Sequence, residues 1–244
     1  MKPALTLLFF LCAFAMSGSI QEEKLKALIV TGGHSFDREA FSAMFDSFGN
    51  MEWTEISHPG ALDYFGSKEI RTYDAVVFYD MPNPENMTQK QKDDIKRFFK
   101  QGAPAVFLHH ALVSYPFWDE FPEIIGGRFY DKKNPLIANG DTIISGYRHD
   151  VAYTVKIVNP DHPVTRGVSD FEIEDEVYNN YYVKKDVEPL LTTDHPESDR
   201  IIGWINRYGK SRVVYLLNGH DNKAYSNENY RRLVRNAIQW VASK

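Results

Sequence analysis

The sequence predicts a doubly wound α/β fold around a mostly parallel sheet, and three observations predict it. Short apolar segments at 24–31, 73–80 and 104–110 alternate with segments of helical period at 37–49 and 89–102. That is the strand–helix–strand rhythm of a parallel sheet. The runs "AVVFY" and "AVFL" show no polar alternation, as expected of strands buried on both faces.

Taken in order, "KLKALIVT" is the first strand, and Gly32-Gly33-His34-Ser35-Phe36 follow it as a tight turn. "DREAFSAMFDSFG" is a short amphipathic helix with Phe41, Met44, Phe45 and Phe48 on one face. "EWTEISH" alternates and reads as a strand nearer the sheet edge. "YDAVVFYD" is a buried strand, broken by Pro82 and Pro84. Thr88 caps the next helix and Gly102 ends it. "PAVFLHH" is the strand on which the functional argument turns. It is expected to run through a sharp turn at His109-His110 into a helix opening "ALVSYPFWDEF". That geometry exposes a reactive side chain above a parallel sheet.

Residues 128–192 lose the helical rhythm and read as a β-rich insertion packed on the sheet. "RIIGWINRYGKSRVVYLLNGHD" is then a hairpin turning near Tyr208-Gly209-Lys210, with a buried second strand that ends at Asn218-Gly219-His220-Asp221. A helix capped near Ser226 closes the chain.

Composition narrows the chemistry. Lys2 and the apolar run Ala4 to Met16 resemble a secretory signal peptide over 1–19, too short to span a bilayer. The expectation is a periplasmic or secreted protein, free of the membrane after cleavage near Ser19, with one domain over 20–244. Cys12 is the one cysteine, so a mature chain would have no disulfide, cysteine nucleophile or thiolate metal site. The net charge of −5 and the lack of a basic patch argue against nucleic acid as a partner. No G-x-G-x-x-G or Walker lysine is present to bind a nucleotide. Oligomeric state is not legible.

The eight histidines divide by context. His58, His162 and His195 precede proline and are expected in surface loops. His34, His109, His110 and His220 sit at the ends of three predicted strands, which a doubly wound sheet brings to one mouth. His149 follows the "ISGYR" turn, and Asp80 ends another strand. Alternation along "EDEVY" puts Glu174, Glu176 and Tyr178 on one face and Asp175 and Val177 on the other. Of the pair His109 and His110, one is expected to face the pocket, with His110 the weaker member.

"GGHSF", "LHH", "GGRF", "YRHDVAYTVKIVNPDHPVTRGV", "DEVY" and "YGKSRVVYLLNGHD" together resemble the trehalose-utilisation (ThuA-like) family. The resemblance implies a flavodoxin-like sheet of the class I glutamine amidotransferase type. In that comparison His109 falls where the amidotransferase cysteine stands and His220 where its histidine stands, so glutaminase chemistry is ruled out. It also implies catabolism of trehalose, related disaccharides or keto-sugars.

The residues then read as an exported hydrolase or isomerase with His109, His110, Glu176 and His220 catalytic. His34, Ser35, Tyr178, Asp221 and His149 are expected to bind a small-molecule sugar. Imidazole suits proton transfer near neutrality. The same groups, His34, His109, His220 and Glu176, suit a divalent metal such as zinc. The alternative is a non-catalytic sugar-binding protein on the same fold.

Overall fold

The computed structural model describes residues 24–83 and 87–243; the leader expected at 1–19 lies outside the described residues. The N-terminal half alternates, with α2 an element the sequence reading did not name: β1 (Leu25–Gly32), α1 (Arg38–Asp46), β2 (Met51–Ser57), α2 (Gly60–Tyr64), β3 (Ala75–Asp80), α3 (Gln89–Lys100), β4 (Ala105–Leu108) and α4 (Phe121–Ile125). Short strands β5 (Gly127–Arg128), β6 (Leu136–Ala138) and β7 (Asp141–Ile143) follow. Long strands β8 (Gly146–Ile157) and β9 (Phe171–Asn179) come next, then β10 (Tyr182–Val183) and β11 (Glu188–Thr192). The hairpin β12 (Ile201–Tyr208) and β13 (Ser211–Leu216) leads to α5 (Asn222–Ser226) and α6 (Glu228–Ala242).

Nine strands form one sheet in the order β2-β1-β3-β4-β13-β12-β11-β8-β9. From β2 to β13 every pairing is parallel. Beyond β13 every pairing is antiparallel. The β-rich insertion therefore extends the central sheet through β8, β9 and β11.

Adjacent residues of β3 show why both faces are covered. Phe78 stacks on Phe107 at 4.3 Å between ring centroids, with Phe65, Phe98 and Phe99 around them. Tyr79 points the other way, into Phe36, Phe41 and Tyr225. Side chains of opposite pleat thus meet helices on opposite sides, which is what a doubly wound sheet requires.

Local signals were honoured with three differences. Thr88 caps α3 in a full capping box with Gln91. The last helix is capped by Asn227 rather than Ser226, because its side chain accepts from the N–H groups of Asn229 and Tyr230. After β4 the chain makes a 3-10 turn over His109–Val113 instead of an α-helix, and α4 waits until Phe121. Tyr115 at φ +51 followed by Pro116 prevents helix continuation. His58 is not in a solvated loop: its ring is buried, with Nε2 2.8 Å from Asp80 Oδ2.

A candidate metal and sugar site at the sheet mouth

The site begins with a backbone constraint. His109 leaves β4 with φ +46, a left-handed conformation that non-glycine residues rarely adopt. Its carbonyl is pinned by the Tyr215 hydroxyl at 3.1 Å, and its Nδ1 lies 2.5 Å from the Leu217 carbonyl oxygen. A carbonyl only accepts, so Nδ1 donates to it and Nε2 is the ring nitrogen left to face the site.

Three groups converge on that nitrogen. Glu176 Oε2 is 2.8 Å away, His220 Nδ1 3.2 Å and the Tyr178 hydroxyl 3.2 Å. Glu176 Oε2 and His220 Nδ1 are 3.3 Å apart. His110 joins the set: a ligating atom from each of His109, His110, Glu176 and His220 lies within 4.8 Å of the others. Of the expected metal ligands, His34 stands outside this group, its ring 4.3 Å from that of His110. The turn at His109 sends the two adjacent histidines to different places in one site. His109 is sealed beneath it, and His110 lines the cavity above.

Each partner is aimed by its element. β9 lies four places from β13 in the sheet, yet Glu176 reaches His109. The antiparallel wing therefore curls back over the ends of the parallel strands. Asp175, fully buried, locks that return. Its Oδ2 accepts from Gly219 N–H at 2.7 Å, and its Oδ1 accepts from both His220 N–H at 3.0 Å and Glu176 N–H at 2.9 Å. A β-bulge between Arg148 and Val151 turns His149 inward, so that its Nδ1 sits 3.3 Å from Glu176 Oε1. Two glycines permit the close approaches. A Cβ on Gly33 would lie 2.1 Å from the Met81 carbonyl oxygen, and one on Gly219 2.2 Å from the Tyr230 hydroxyl.

The charges follow from these contacts. Burial alone would raise the Glu176 pKa, but hydrogen bonds to His109 and His220 outweigh it and hold the carboxyl well below its usual range. The hydrogen bond to Glu176 raises the His220 pKa against the effect of burial. Burial pushes His110 well below 6.5 and lowers His34. His110 is thus a neutral imidazole at pH 7, and its buried Nε2 has no hydrogen-bond partner among the described residues.

A cavity of about 280 Å³ opens beside the cluster, lined among others by His34, His110, His149, Glu176 and Tyr178. Two expected sugar ligands are not brought to it. Ser35 is exposed on the loop after β1, and Asp221 accepts from Lys223 N–H as the cap of α5. Asp80 is buried with His58 and is not among the lining residues. Sequence reasoning missed Tyr215, which holds the His109 carbonyl, the Leu217 carbonyl that accepts from His109 Nδ1, and the clamp made by Asp175. A buried aspartate beside two acids carries no distinguishing sequence signal.

The fold is shared with solved structures of low sequence identity. A ThuA-like protein from Parabacteroides merdae superposes with a TM-score of 0.72 at 16% identity, covering 90% of each chain. Another from Bacteroides uniformis gives 0.67 at 20% identity, covering 94% of this chain and 96% of that one. A Thermoplasma acidophilum protein described as part of a GMP synthase gives 0.54 at 12% identity, over 90% of this chain and 94% of that one. The last likeness agrees with the amidotransferase-type sheet. No curated protein sequence matches the chain. The family description "Trehalose utilisation" (ThuA) matches residues 26–241, and on that match the chain belongs to the ThuA family.

Proposed function

We propose that this protein is a metal-assisted hydrolase or isomerase of trehalose, a related disaccharide or a keto-sugar, with a divalent ion held by His109, Glu176 and His220. The observation that carries the metal is the triangle of Nε2, Oε2 and Nδ1, with sides of 2.8, 3.2 and 3.3 Å. A tetrahedral ion with bonds of about 2.0–2.1 Å sets neighbouring ligand atoms about 3.3 Å apart, which two sides of the triangle match and the 2.8 Å side would reach by opening about 0.5 Å. Nearly unsheltered lone pairs pointing at one another need a positive species between them. In the metal-free protein a proton shared among the facing atoms is that species, and a divalent ion would take its place.

A divalent ion held by His109, Glu176 and His220 would supply Lewis-acid polarisation of a sugar oxygen. The chain's own groups supply the rest. Neutral His110, with its unpartnered Nε2, is placed to take a proton from a substrate hydroxyl. Tyr178 is buried, which raises its pKa, so its phenol stays protonated and donates. The sugar assignment is supported by the family's association with trehalose utilisation. Export rests on the leader pattern of residues 1–19.

Zinc titrated calorimetrically into chelator-treated protein should bind at one site. His109→Ala and Glu176→Gln should abolish that binding and cut turnover of the 3-keto disaccharide by about 10²–10⁴-fold, with circular dichroism unchanged. Variants that bind zinc and process sugar like wild type would show this reading to be wrong. Wild type that binds sugar without turnover would make the protein a sugar-binding one.

A further inference from the structure

The cavity beside the cluster has three different surfaces, and together they say how much of the substrate it holds. Its inner end is polar, with the unpartnered Nε2 of His110 beside Glu176 and Tyr178. One wall is apolar, formed by Met81, Val113 and Phe129. At the mouth stands Tyr147, 62% exposed, with its ring 5.3 Å from that of His149. An aromatic ring of that exposure contributes little to the core, yet it borders a site built from buried groups.

The volume sets the limit. At about 280 Å³ it lies just below the range of about 300–1,000 Å³ in which pockets enclose drug-sized ligands. That size suits one pyranose ring better than two. A pyranose also matches the surfaces, since its C–H face suits the apolar wall and its hydroxyls suit the polar end. Asp131 adds a fixed acceptor to the lining. Its Oδ1 accepts from the N–H groups of Lys133 and Asn134, both at 2.8 Å, while its Oδ2 accepts no hydrogen bond among the described residues.

We propose that the cavity encloses one pyranose unit, hydrogen-bonded by Asp131, and that the second unit of a disaccharide stacks outside on Tyr147. Tyr147 is then the residue by which the site prefers a disaccharide to a monosaccharide. This rests on the sugar-processing reading above. The stacking is of the kind by which aromatic faces hold sugar rings, and it adds to whatever the enclosed ring contributes.

The test compares glucose with trehalose, and the 3-keto derivative of each, by titration calorimetry with zinc present. Wild type should bind the disaccharide of a pair roughly threefold to tenfold more tightly than its monosaccharide. Tyr147→Ala should bring that ratio close to one, and Tyr147→Phe, which keeps the ring, should preserve it. A ratio unchanged in Tyr147→Ala would overturn the proposal while leaving the sugar reading intact. So would a variant that weakens both sugars equally, because the enclosed ring would then be the one on Tyr147. If wild type binds neither pair, the sugar reading itself fails and takes this inference with it.

Discussion

His109 is held by its neighbours in a conformation that its own backbone disfavours. The Tyr215 hydroxyl, the Leu217 carbonyl and the Glu176 carboxylate fix its main chain, tautomer and free nitrogen. Tyr178 touches the same nitrogen but differs in chemistry, since a protonated phenol is a hydrogen-bond donor and a poor zinc ligand. Tyr178→Phe is therefore expected to slow turnover by about tenfold or more while zinc stoichiometry stays at the wild-type value. Equal loss of metal and activity would make Tyr178 a ligand. The strand-end histidines were legible in sequence because a parallel sheet places those ends together whatever the details. Ser35 and Asp221 were misplaced because adjacency in sequence does not fix where a loop side chain points. His58 escaped notice because the proline after it suggested solvent, whereas its carboxylate partner Asp80 lies 22 residues away.

At the level of elements, β9 is where sequence pattern and structure divide most clearly. Alternation put Glu174, Glu176 and Tyr178 on one face, and that face passes from solvent to the site along its length. Glu174 is exposed and pairs with Lys223. Glu176, one pleat on, is buried under the mouth. Periodicity reads faces and not the point at which a face goes under cover. On the other face Asp175 joins β9 to the segment after β13 through two backbone N–H groups, those of Gly219 and His220. Asp175→Asn keeps one acceptor oxygen and turns an NH2 group toward N–H donors. It should cost about 1–3 kcal/mol in denaturant unfolding and weaken zinc affinity by about 10–100-fold in a competition titration. Loss of stability with zinc affinity untouched would confine Asp175 to a packing role.

For the whole molecule, the site's protons tie stability to pH from both sides. His110 is held below its unfolded pKa, as are His34 and the half-buried His162, so on acidification the unfolded chain takes up protons that the folded one refuses. Stability from these groups is present above about pH 6.5 and lost below it. His220 is raised by Glu176, so its contribution is full below about pH 6.5 and lost as pH climbs through the higher folded value. Metal-free protein should therefore show melting temperature falling on both sides of neutrality. His110→Gln should flatten the acid limb and His220→Gln the alkaline one. A melting curve independent of either substitution would contradict these assignments. Zinc affinity should rise with pH over the alkaline range, since binding displaces the His220 proton. The parallel half of the sheet was predictable at this scale, from rhythm and buried strands. The curl that returns β9 over the mouth was not, because it depends on accumulated twist across four antiparallel strands.

That curl also governs when the site comes into being. His109 lies 67 residues before Glu176 and 111 before His220, and the three meet only through the clamp at Asp175. A chain emerging N-terminus first, from a ribosome or a translocation channel, keeps His109, Glu176 and His220 apart until residue 220 is free. Isolated imidazoles hold divalent ions weakly, because no chelate ring reinforces them. On the metal reading proposed above, the order of synthesis would guard the nascent chain against premature capture of whatever metal it passes, and leave selection of the ion to the compartment in which the finished protein closes.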